Sequence, residues 1–215
     1  MEGEALHKMF ELFASNDVGI AVRPLNERKE LVFPDDDPDF HTYRILLLVY
    51  TCGMVKSEVA SHELIYGRTK FSFYDFLIRY PIYLRKVIEI KSSKTKLNGF
   101  LQELKLTTYE QSIEFSSMIN YIRGPWDHNY YNIFAYMTSK NLVELNYKRV
   151  TQSGPRQFCI NLTETGNNVA NQIAEIETGW SERMRIITEI FREDASNKGI
   201  EDFIKLNFPE LTIGV

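Results

Sequence analysis

The segment Phe40–Met54, FHTYRILLLVYTCGM, is apolar around almost its whole circumference when wound as a helix. A helix of that kind is stable only when other elements cover it on every side. It therefore marks a central element, with Gly53 a suitable end. The chain of 215 residues is long enough to surround it with a real core.

The covering elements are legible as periodic stretches. Leu6, Met9, Phe10 and Phe13 recur at helical spacing, and Val18–Val22 and Glu27–Phe33 read as short strands. The run Pro34–Asp39 is a loop, and it lacks the alternating acids and central glycine of a calcium-binding loop. Leu64–Tyr66 continues the same module. Ser72 followed by Asp75 has the form of a capping box, with Phe73, Phe76, Leu77 and Tyr80 on one helical face. Pro81 cannot continue that helix but suits the first turn of another, Ile82–Ile90, with Tyr83, Leu84, Val87 and Ile88 inward. Lys91–Asn98 is polar and basic, which predicts a surface loop and a domain boundary.

The second half follows the order of a winged helix. Ser112–Ile122 reads as strand, punctuated by Gly124-Pro125. Asp127 caps a helix, Asp127–Lys140, whose Tyr130, Ile133, Phe134 and Met137 keep three-four spacing. Leu142–Val150 is a strand, Gln152–Pro155 a turn, and Gln157–Leu162 a strand that alternates Phe158, Ile160 and Leu162. Thr163 caps a helix with Val169, Ile173 and Ile176 on one side, followed by Trp180. Glu182–Asp194 is a helix that buries Ile186, Ile187, Ile190 and Phe191, and Ile200–Leu206 is a short last one. The expected fold class is α+β and mainly helical. Residues 1–98 form a mostly helical N-terminal domain with an acidic arm, and residues 99–215 a winged-helix domain with C-terminal helices.

Charge narrows the function classes. The net charge is only −4, which excludes a uniformly basic nucleic-acid binder. Residues 1–40 hold ten acids against four bases. Arg85–Lys105 holds six bases against two acids, and Lys140–Arg156 four against one. Such patches are either solvated surface or phosphate contacts. Lys91, Lys94 and Lys96 in the first patch, and Lys148, Arg149 and Arg156 in the second, are the candidates for DNA or an acidic partner. The helix from Asp127 carries little positive charge, which makes it a weak reader of the major groove.

Cys52 and Cys159 are distant and set among apolar residues, so they read as reduced, buried thiols. The start MEGEALHKMF lacks the basic-then-apolar form of a signal peptide, and no apolar run is long enough to span a bilayer. These features predict a cytoplasmic protein without membrane contact. Gly-rich phosphate loops, nucleophile elbows and zinc-protease motifs are missing from the sequence. His128 beside Asp127 fits a helix start better than an active site. No catalytic, cofactor-binding or metal-binding residue is assigned, and no cofactor is expected. The stretch Arg123–Tyr131 packs a turn, an indole and a helix start together. Trp126 and Tyr130 there either seal the core or dock a partner, since Trp, Tyr and Arg are favoured anchors.

Three segments carry a resemblance to a known family. Tyr74-Asp75-Phe76-Leu77-Ile78-Arg79-Tyr80-Pro81 with Leu84 resembles a signature of the middle components of bacterial ABC three-component systems. Gly124-Pro125-Trp126-Asp127, with the Tyr-rich helix after it, resembles the family's second signature. Ile122-Arg123 stands before it, where a tyrosine directly before the glycine is usual. Leu162-Thr163-Glu164-Thr165-Gly166, followed by Val169 and Ala170, resembles the third. The resemblance implies a small non-catalytic adaptor subunit of a Lamassu-type complex that acts against phage or plasmid DNA. Its partners would be an SMC-like coiled-coil ABC ATPase and an effector, often a nuclease, with double-stranded DNA reached mainly through the complex. Tyr80, Pro81, Arg123, Trp126, Asp127 and Tyr130 are the expected partner-docking residues. The alternatives are a stand-alone winged-helix transcriptional regulator and an enzyme with a dispersed site.

Overall fold

The computed structural model describes residues 37–55, 60–104, 106, 119–121, 123–150, 154–192 and 195–212. All of them lie in one compact unit, Asp37–Val215. The expected helix and strands before Asp37, the acidic arm, and the strand over Ser112–Met118 fall outside the described residues.

The apolar segment is helix α1 (Pro38–Cys52). Asp37 starts it, accepting a hydrogen bond from the Asp39 N–H at 2.9 Å, with Pro38 in the first turn. The Gly53 N–H closes it on the Val49 carbonyl. Ile45 to Val49 are all buried, with helices on several sides and a sheet strand on another, as all-round apolarity demands.

Leu64–Tyr66 is strand β1, and helix α2 (Arg68–Arg79) follows from Gly67. The expected capping box is not formed. Ser72 lies inside α2 and donates to the Thr69 carbonyl, and Asp75 is buried in the core. Pro81 does end one helix and open the next, α3 (Pro81–Lys91), which buries Leu84, Val87 and Ile88. The loop expected over Lys91–Asn98 is instead the end of α3 and the start of α4 (Lys94–Leu104). α4 packs on α3 and on a later helix through Phe100 and Leu104, so residues 98 and 99 lie within a helix.

Gly124-Pro125 is not loop but part of a strand. β2 (Ile119–Tyr121) and β3 (Gly124–Trp126) pair antiparallel, with Ile119 opposite Trp126. Gly124 has φ +135°, which disfavours any side chain there. Helix α5 (Tyr130–Ser139) begins three residues later than expected, because Asp127 folds its carboxylate onto the Asn129 N–H at 2.9 Å in a turn ahead of it.

β4 (Val143–Arg149) and β5 (Arg156–Leu162) form the expected hairpin, paired from Val143–Leu162 to Arg149–Arg156. β1 joins the other edge of β5, giving the order β1-β5-β4, all antiparallel. Thr163 caps α6 (Glu164–Ile176), its hydroxyl accepting from the Gly166 N–H at 3.0 Å. Ile173 is buried as expected, but Ile176 is 75 % exposed and belongs to the solvent face. Trp180 lies in the first turn of α7 (Gly179–Phe191) and meets Phe40 edge-on at 5.6 Å. α8 (Asn197–Asn207) and a short 3-10 turn, Pro209–Leu211, complete the unit. The described residues are thus mainly helical around a small antiparallel sheet. No described helix is long and apolar enough to cross a membrane.

Candidate functional site

The first feature is a buried polar lock. Arg44 of α1 donates to Asp75 of α2 from Nε at 2.7 Å and from Nη2 at 3.2 Å. The Tyr130 hydroxyl of α5 donates to the same carboxylate at 2.7 Å. Burial alone would raise the Asp75 pKa, but the Arg44 and Arg79 guanidinium groups and these hydrogen bonds outweigh it and hold the carboxyl below its ordinary range. Burial, and then the Asp75 charge, push the Tyr130 phenol well above its ordinary value, so it stays protonated and donating. Next to the lock, Arg79 pairs with Asp127 at 2.5 Å. Both Asp127 oxygens are then used, one by Arg79 and one by the Asn129 N–H. A carboxylate held from both sides in this way fixes the end of α2 against the turn that leads into α5.

This geometry relocates most of the expected docking residues. Tyr80, Pro81, Trp126, Asp127 and Tyr130 are buried within this unit, and Tyr130 is 0 % exposed. Trp126 covers Tyr130 edge-on at 5.0 Å, and Tyr130 stacks on Phe134. Of the six, only Arg123 stands on the surface. Of the two readings left open for Trp126 and Tyr130, burial favours the core: Tyr130 packs on Phe71 of α2 and Phe134 of α5, and Trp126 lies over it. Tyr130 has no surface left to offer a partner, and Trp126 keeps 8 % of its surface exposed, at an open groove.

The second feature is an open groove of about 610 Å³. Its basic lining comes from four separate segments. Arg68 opens α2, Arg123 lies between β2 and β3, Arg156 opens β5, and Lys198 lies in the first turn of α8. Trp126, Tyr131, Tyr147 and Phe158 supply ring surface, and among the described residues no Asp or Glu lines the groove. Arg68 is braced by the hairpin: its Nη2 donates to the Tyr147 hydroxyl at 2.6 Å, and its guanidinium lies 5.3 Å from the Phe158 ring centre. Asn197 accepts from the Lys70 N–H at 3.0 Å, which fixes the start of α8 beside the start of α2. Lys198 pairs with Asp202, whereas Arg123 and Arg156 form no ion pair among the described residues. The arrangement can hold an anion that also offers flat apolar surface.

The two expected basic patches separate. Arg156 lines the groove, and Arg149 pairs with it across the hairpin. Lys91, Lys94 and Lys96 do not line the groove. Lys91 covers the Phe203 and Phe191 rings, Lys96 pairs with Glu189, and Lys94 is exposed at the start of α4. Arg68 and Lys198 were not expected, since nothing near either in sequence marks it. Comparison with family models, curated proteins and solved structures finds no match.

Proposed function

We propose that this chain is a non-enzymatic adaptor subunit of the middle-component type. It would bind an SMC-like coiled-coil ABC ATPase in the cytoplasm and help hold an effector, often a nuclease, in check until foreign DNA is sensed. The observation that carries the reading is the interlocking of the segments behind the resemblance. Asp75 of the first accepts from Tyr130, just after the second, and Arg79 of the first pairs with Asp127 of the second. The third segment uses Thr163 and Gly166 to seat α6 against the Leu142 carbonyl. Motifs that specify a shared core should touch in this way.

The element order also supports a winged helix. A winged helix runs helix, strand, helix, helix, strand, strand, with the first strand beside the last. α1, β1, α2, α5, β4 and β5 follow that order, with the sheet β1-β5-β4. On this reading the module starts at α1, and α3, α4 and the β2–β3 hairpin are inserted before its third helix. That third helix, α5, has no Lys or Arg between Tyr130 and Ser139, which disfavours the stand-alone transcriptional regulator.

The test starts from the gene neighbourhood, where a coiled-coil ABC ATPase is expected, and continues with co-expression of the two chains and size-exclusion chromatography. Co-elution is the expected result. Separate elution overturns the proposal, and a specific gel shift on the chain's own promoter without the ATPase would favour the regulator.

A further inference from the structure

We infer that the groove between the β4–β5 hairpin and the starts of α2 and α8 binds single-stranded nucleic acid. This goes beyond the adaptor reading and does not rest on it.

Charge is the first argument. Four cationic side chains line the groove, only Lys198 of them ion-paired and none facing a lining carboxylate among the described residues, in a protein whose net charge is −4. An isolated positive site in an acidic molecule selects anions rather than acting as general polyanion glue. Arg149 and Arg156 stand directly opposite each other across the hairpin, both exposed. Like charges in that position destabilise a sheet, and a phosphate between them removes the cost. The positive end of α2, at Arg68 and Thr69, borders the same space.

Ring surface is the second argument, and it decides the kind of anion. Tyr131 and Tyr147 are 60 % and 54 % exposed. Each is backed by a second ring, Tyr131 by Trp126 at 6.0 Å and Tyr147 by Phe158 at 5.7 Å. Exposed, braced aromatic faces among arginines match the stacking platforms that hold unpaired bases. Duplex bases are stacked on one another and have no free face for these rings. An acidic peptide would use the charges and leave the rings idle. The groove, about 610 Å³, is of the size of small-molecule sites and suits a short run of nucleotides.

The experiment is fluorescence anisotropy of the whole chain with a labelled oligothymidylate. Expected is binding that weakens with added salt, with a log–log slope of about −2 for some three phosphate contacts. Arg123→Glu with Arg156→Glu should raise Kd at least about tenfold. Tyr131→Ala and Tyr147→Ala should each raise it by about fivefold or more, the loss of one stacked base. Lys94→Glu, outside the groove, should leave Kd unchanged. Circular dichroism and thermal melting confirm that each variant is folded. The proposal is overturned by no anisotropy change, by groove variants that bind like the parent chain, or by a duplex of equal length binding as tightly. Competition by polyglutamate as strong as by unlabelled oligonucleotide also overturns it.

Discussion

Asp75 receives three hydrogen bonds from two helices while fully buried, and its cost if lost is correspondingly large. Replacing it with Asn keeps the shape but leaves the Arg44 guanidinium, 1 % exposed, without a counter-charge. Breaking a buried pair from one side costs about 3–5 kcal/mol, so Asp75→Asn should lower the urea midpoint sharply and in proportion. Tyr130→Phe removes one bond to a charged acceptor and should cost about 1.5–3 kcal/mol by the same measurement. In sequence, Asp75 stands out as a candidate capping residue and as part of the first segment of the resemblance, not as an arginine's partner. A short Ser-x-x-Asp pattern does not show whether its carboxylate faces a helix start or a distant arginine, and here the partner lies 31 residues away.

At the scale of elements, the turn from β5 into α6 can be tested in two ways. Thr163 donates to the Asn141 carbonyl at 2.6 Å and accepts from the Gly166 N–H, so Thr163→Ala should cost about 1 kcal/mol in thermal unfolding. Gly166→Ala should cost more, because a methyl group there overlaps the Leu142 carbonyl oxygen. This cap was legible in the sequence because its parts are local. So were α1, the helix break at Pro81 and the hairpin, whose signals are periodicity, proline and alternation. α4 was missed although Leu97, Phe100, Leu101 and Leu104 carry helical spacing. Its first turn, Lys94-Thr95-Lys96, is all polar and Gly99 interrupts the stripe, so the solvated side masks the helical period. β3 was missed because its strand character comes from pairing with β2, not from Gly-Pro-Trp itself.

For the whole molecule, pH dependence follows from two shifts of opposite sign. The Asp75 carboxyl lies below its ordinary value in the folded state, so its contribution is present above about pH 4 and fades as pH falls further. Tyr130, and Tyr74 likewise through burial, lie well above theirs, so their contribution holds below about pH 10 and is lost as pH rises beyond it. Urea midpoints across pH should show a plateau that declines at both ends, and Tyr130→Phe should flatten the alkaline decline. The groove belongs to this scale too. Arg68, Arg123, Arg156 and Lys198 come from four segments spread over most of the described chain, and only Arg123 and Arg156 carry a signal in the sequence. No local pattern joins such residues, because tertiary packing alone sets them face to face.

The Arg44–Asp75–Tyr130 lock also has a mechanical meaning. It pins three helices from separate parts of the chain at one point, with an ionised group at the joint. A force on α5 at Tyr130 therefore passes to α1 and α2 through bonds to a single charge rather than through apolar contacts alone.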